Sequence, residues 1–136
     1  MIDVVELAFR TDSGRMELVT AELRFLGQGV NRCRIDLRRE LGFGSEFDGP
    51  DFFEALRVMR LAAEPSGWMV LCAGARRDVW CTGMSRSMGL GCTAYVLRPG
   101  RPVRRADLVG IFEAASPDSV CGIVEQERAF QLRVSS

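Results

Sequence analysis

The segment "VNRCRIDLRR", residues 30–39, alternates without a break. Cys33, Ile35 and Leu37 fall on one side; Arg32, Arg34, Asp36 and Arg38 fall on the other. Successive side chains of a strand point to opposite faces, so the pattern dictates a strand with one dry and one wet face. Such a strand needs neighbours patterned the same way and a layer packed over their apolar side. "VVELAF" supplies one neighbour, with Val5, Leu7 and Phe9 on one face, and "TDSG" then gives turn chemistry. "MELVTAELRFL" fits two periods. Met16, Val19, Leu23 and Leu26 suit a helix, whereas Val19, Ala21, Leu23 and Phe25 suit a strand. The turn before it and "GQG" after it make a meander economical, so a strand is expected.

Downstream the pattern changes. "LGFGSEFDGP" reads as a loop leading into a helix at "DFFEALRVMRLAAE", which starts at Pro50 or Asp51. Phe52, Leu56, Met59 and Ala63 form its apolar stripe, widened by Phe53 and Leu61, and "EPSG" stops it. "WMVLCAG" is apolar without alternation and predicts a central strand covered on both faces. "CTAYVL" and "DLVGIFEA" predict two more strands. "SPDSVCGIVEQERAFQLRV" predicts a terminal helix capped by Ser116, with Val120, Ile123, Val124, Glu127, Phe130 and Val134 along one side. The order is three strands, helix, strand, short helix, two strands, helix. The expected fold is a single α+β domain over residues 1–136, a mainly antiparallel sheet of about six strands carrying two longer helices and one short helix. A chain of 136 residues buries roughly two-thirds of its unfolded surface, enough to fold without a disulfide or a metal.

The side-chain inventory narrows the function. The 18 basic residues are all Arg and are balanced by 18 Asp and Glu, and there is no His. A zero balance creates no global field toward nucleic acid or anionic lipid. Without His the chain lacks the usual general base near neutral pH and the commonest metal ligand. Five Cys without a C-x-x-C read as reduced, mostly buried thiols rather than a zinc site or a disulfide framework. No cofactor is expected. Gly83, Gly89 and Gly91 do not have phosphate-loop or dinucleotide spacing. Cys81 or Ser85 as a nucleophile would need an activating base. Glu125 and Glu127 lie two apart on a helix and do not face each other. No apolar run is long enough to span a membrane. "MIDVVELAFR" has no basic leader, so a cytoplasmic protein is expected.

Three clusters remain. Glu46, Asp48, Asp51 and Glu54 gather around the first helix start, where they complement the dipole and aid solubility or form a docking surface. Arg98, Arg101, Arg104 and Arg105, with Pro99 and Pro102, make a stiff basic turn. It can touch phosphate, but without interleaved aromatics no nucleic-acid partner is expected. Between Cys72 and Tyr95 lie Arg76, Arg77, Trp80, Met84, Arg86 and Met88. Arg, Trp, Tyr and Met are enriched at protein interfaces, but the same Trp and Met can equally be core and the Arg merely solvated.

The stretch from Phe52 to Leu97 resembles small bacterial immunity proteins, the inhibitors encoded beside contact-dependent and other polymorphic toxins. The resemblance rests on a helix ending in acid-x-x-Gly (Glu64 to Gly67) followed by a buried strand. It continues through "GARRDV" (Gly74 to Val79), then Thr82, Gly83 and Met84 with Met88 and Gly89, and a strand carrying Ala94 and Tyr95. Cys81 stands where a Pro-like turn residue is expected. The resemblance implies a stoichiometric inhibitor that is not an enzyme, a monomer or weak homodimer that binds the C-terminal domain of a cognate toxin, possessing neither nucleic-acid nor membrane partners. It implies that Gly74 and Gly83 let the chain turn sharply, that "VWCTGMSRSMG" forms a short helix packing its Met inward, and that contacts come from Arg76, Arg77, Asp78 and Arg86. If the toxin is a nuclease, its phosphate-holding cleft is basic, and Glu46, Asp48, Asp51 and Glu54 become the docking surface. The competing class is a small cytoplasmic enzyme or ligand-binding domain.

Overall fold

A strand pair fixes the register of the rest. β1 (Ile2–Thr11) and β2 (Met16–Phe25) run antiparallel from Ile2 opposite Arg24 to Arg10 opposite Met16. The computed structural model describes residues 2–82 and 89–134. Of the short helix expected across "VWCTGMSRSMG", residues 83–88, with Gly83, Met84, Ser85, Arg86 and Met88, lie outside the described residues, and its expected start, Val79–Trp80, is a strand instead. With β3 (Cys33–Leu37), β4 (Glu46–Gly49) and β5 (Trp68–Val70), the first pair forms a five-stranded sheet in the order β4-β3-β2-β1-β5. The alternation read from the sequence is realised. Leu7, Phe9, Val19, Ala21, Leu23, Cys33, Ile35 and Leu37 are all buried on one face. Phe25, at the end of β2, stays 39% exposed.

β4 replaces part of the expected loop. Four residues are too few for a period-two pattern to stand out. "EFDG" nevertheless turns Phe47 inward and pairs Asp48 with Arg34 of β3. Gly49 then lets the next helix come close, because a Cβ there would press on the backbone of Glu54 and Ala55.

α1 (Phe52–Ala63) starts where the sequence places it. The Asp51 side chain caps it, accepting from the Glu54 N–H at 2.8 Å. Its buried face is Phe52, Phe53, Ala55, Leu56, Met59 and Ala63. Leu61 is 58% exposed, and the remaining buried position belongs to Arg60. α1 packs on β3, β4 and β5, and its other side meets Trp80 through Phe53 and Phe112 through Phe52.

The expected central strand at "WMVLCAG" is an edge strand of three residues, paired only with β1. The segment is buried all the same, for a different reason. After Val70 the chain enters a tight turn at Ala73–Ala75, and residues 111–115 close over it. The Ala73 and Gly74 N–H groups donate to the carbonyls of Glu113 and Ile111, and the Ala115 N–H donates to Leu71. Apolarity thus reports burial here, not position in the sheet.

A second antiparallel sheet of order β6-β7-β8 holds β6 (Val79–Trp80), β7 (Thr93–Val96) and β8 (Leu108–Gly110). The described residues therefore form eight strands in two sheets rather than about six in one, within the expected α+β class. The terminal helix α2 (Ile123–Val134) starts seven residues after Ser116, which sits in a turn. Its first N–H is instead satisfied across the fold, Ile123 donating to Glu64 Oε1 at 3.0 Å. Val124 is 65% exposed, and the buried face runs through Ile123 and Gln126.

Candidate functional site

A buried polar hub sets the loop after β5. Arg60 is 1% exposed and donates to the Cys121 carbonyl at 2.9 Å, to Gln126 Oε1 and to Gly74 O, and pairs with Glu64 at 3.3 Å. Gln126 Nε2 donates to the carbonyls of Gly74, Arg76 and Val79 at 2.8–3.0 Å. Carbonyls left without a sheet partner thus gain one from α2, and the loop is fixed from behind. Gly74 is needed here for space, since a Cβ would collide with Leu56 and crowd Ile111. Its expected role as a sharp-turn glycine is therefore replaced by close packing.

Held this way, the "GARRDV" loop presents its charges outward, but already paired. Arg76 makes two bonds to Asp78, at 2.9 and 2.7 Å. Arg77 donates to Glu125 at 2.6 Å and to the Asp118 carbonyl. Trp80 is half-buried. It stacks on Phe130 with ring centroids 4.6 Å apart, meets Phe53 edge-on, and carries Arg57 over its ring. Arg57 in turn pairs with Glu54 and Glu127. Arg86 lies outside the described residues.

Beyond Phe130 a groove of about 970 Å³ opens between α2 and the 97–103 loop. Ala129, Phe130 and Leu132 line one wall; Leu97, Pro99 and Val103 line the other. Leu132 is 66% exposed and Val103 41% exposed. Arg77, Arg98, Arg101 and Arg133 also line it. The basic turn is anchored rather than loose. Arg98 and Arg101 both donate to Oδ1 of Asp107, at 3.2 and 3.1 Å, and the Arg104 N–H donates to Oδ2 at 3.0 Å. That amide, with the two guanidiniums, holds the Asp107 carboxyl below the usual carboxylate range. One carboxylate thus organises the turn, while Arg98, Arg101, Arg104 and Arg105 keep the loop basic.

The acidic cluster is dispersed by the fold. Glu46 and Asp48 share Arg34, with Asp48 held by two bonds at 2.8 and 3.1 Å. Asp51 is 7% exposed and used as the helix cap. Glu54 faces Arg57.

No family model matches the chain, and no curated protein is detectably similar to it.

The groups considered for catalysis are also committed. Cys81 is buried with its Sγ toward the Thr93 carbonyl at 3.3 Å. Cys33, Cys72 and Cys121 are buried, and desolvation pushes each thiol up, Cys72 to about 11. Cys92 is half-buried beside a small cleft of about 250 Å³, and burial first, with its neighbours adding, raises it to about 11. A thiol so raised carries little thiolate at neutral pH. Glu125 and Glu127 bind different arginines, Arg77 and Arg57. Among the described residues no group of three or more His, Cys, Asp or Glu is arranged to hold a metal, and no helix is long and apolar enough to cross a membrane.

Sequence reasoning missed Arg60, Gln126 and Asp107. Gln126 sits on the buried side of α2, where a lone amide marks a partner to be found, but the apolar stripe read from the sequence runs through Glu127. Asp107 lies three to nine residues after Arg98, Arg101 and Arg104, so the local signal was a lone carboxylate closing a run of arginines.

Proposed function

We propose that this chain is a cytoplasmic binding protein of the immunity class, which neutralises a cognate bacterial toxin domain by forming a stoichiometric complex. The observation that carries the reading is the groove between α2 and the 97–103 loop. It is apolar, partly open to water and lined by Arg77, Arg98, Arg101 and Arg133, on a scaffold fixed by the Arg60–Gln126 hub. Exposed aliphatic side chains framed by arginine are costly to keep in water and well suited to a protein partner. Glu46, Asp48 and Asp51, by contrast, are engaged by Arg34 and by the α1 N-terminus, which favours the groove over that face as the docking surface. The resemblance at residues 52–97 supplies the partner class.

The test is to look for a toxin gene beside the gene for this chain and to co-express its C-terminal domain with the chain. Growth is restored by the native chain, and the two proteins elute as one complex with a fixed ratio in calorimetry. Unrelieved toxicity would falsify the proposal. So would turnover of any substrate by the purified chain that a single substitution abolishes.

A further inference from the structure

We propose that the groove takes an acidic amphipathic segment of the partner, a stretch in which carboxylates alternate with aliphatic side chains. This rests on the partner-binding reading above, but not on the partner being a toxin. The lining holds two kinds of side chain, aliphatic and guanidinium, and these dictate the two halves of the ligand. Leu132 and Val103 face water at opposite sides of a cleft lined also by the half-buried Leu97 and Ala129 and by the exposed Pro99. Burying such surface is favourable at about 25 cal/mol per Å², so the segment needs an apolar anchor.

Arg98 and Arg101 spend one shared carboxylate oxygen between them, and Arg77 meets Glu125 while half exposed. Guanidinium groups present five donors each, so these three retain donor capacity for carboxylates of a partner. The rest of the basic turn, Arg104 and Arg105, adds positive charge on the same loop, which Asp107 offsets in part. An anionic segment is therefore drawn in and a cationic one repelled. The floor disfavours nucleic acid. Base stacking along a strand needs successive aromatic platforms, and the groove lining offers one ring, Phe130, with one face covered by Trp80.

The test uses the full chain and short fluorescein-labelled synthetic peptides, read by anisotropy. The first peptide alternates Glu with Leu. A second replaces Glu by Lys, and a third replaces Leu by Ser. An oligothymidylate of similar length is the fourth probe. The substitutions are Leu132→Glu and Val103→Glu, chosen because both side chains are substantially exposed and neither holds the fold. Arg98 and Arg101 are left in place because they anchor Asp107. Leu18→Glu, 66% exposed on β2, is the control.

The Glu–Leu peptide binds, more weakly as salt rises. The two groove substitutions weaken it roughly tenfold or more, and Leu18→Glu leaves it unchanged. The proposal is overturned if this peptide does not bind, if the Lys or Ser peptide binds as tightly, if the groove substitutions leave binding unchanged, or if the oligothymidylate binds more tightly. Peptide binding without protection in cells removes the toxin and keeps the groove. Protection that survives both groove substitutions removes the groove and keeps the inhibitor.

Discussion

Gln126 does more for this fold than any residue its type would suggest. One amide closes three carbonyls of the 74–79 loop and receives the buried Arg60. Gln126→Leu keeps the volume but takes the donor from the Val79 carbonyl and one acceptor from Arg60, whereas the Gly74 and Arg76 carbonyls keep Arg60 and the Val79 N–H, so it costs about 1–3 kcal/mol for the buried carbonyl left unpaired, measured by urea denaturation. The thiols make a second residue-scale prediction. Cys33 and Cys72 are wholly buried and react with a thiol reagent only on unfolding, while Cys92, half-buried, is the fastest of the three. Their titration sets an alkaline limit. The unfolded Cys72 thiol ionises near its ordinary 9.0, whereas the folded one holds its proton to about 11. Between those values the unfolded chain binds fewer protons, so stability is full below pH 9 and falls as pH rises toward 11. A denaturation midpoint that stays flat over that interval, or brisk native labelling of all three thiols, contradicts burial.

Elements were legible in proportion to their length and periodicity. β1 and β3 alternate over five to ten residues, and α1 carries a stripe, a cap and a stop, so these were readable by themselves, whereas β2 also fitted a helical period and was readable only from the turns that flank it. β4 and β6 have four and two residues and no period to detect, whereas β8, though only three residues long, lies within the strand expected at "DLVGIFEA". The start of α2 was misplaced because Ser116 and Pro117 imitate a cap, while the true partner of its first N–H, Glu64, is 59 residues away in sequence. β5 shows the limit of composition. Its apolar run predicted burial, and Leu71 is 5% exposed, yet the strand lies at the sheet edge. Leu71→Ala therefore costs about 2–5 kcal/mol despite the edge position, as thermal or chemical denaturation reports. A loss below about 1 kcal/mol means that residues 111–115 do not close over this segment as described. At the start of α1, Asp51→Ala removes the cap and costs about 0.5–2 kcal/mol. A double reversal of Asp48 and Asp51 would thus mix lost stability with lost contact.

At the scale of the molecule, a zero net charge hides two unlike halves. Residues 1–54 hold eleven Asp and Glu against seven Arg, and the remainder reverses those numbers. The fold neutralises much of the acidic half locally, through Arg34 with Glu46 and Asp48 and through Arg24 and Arg38 with Glu22. It leaves an arginine-lined groove in the basic half. Asp48→Arg alone should change stability by no more than about 1 kcal/mol, as for other exposed ion pairs, and leave partner affinity intact, whereas Leu132→Glu should weaken it. Calorimetry with the partner, beside a melting curve of each variant, separates the two effects. The sequence by itself determined the α+β class, the wet and dry faces of the first three strands, the first helix with its cap, and the burial of the Leu71 segment. These follow from period and local hydrogen bonding, which neighbours in the chain decide. Only the tertiary structure decided that the strands split into two sheets, that Arg60 and Gln126 fix the "GARRDV" loop, that the acidic cluster is engaged, and that a groove forms beside α2. Each of these depends on which distant groups meet, and burial makes an unpaired polar group costly enough to choose the partner.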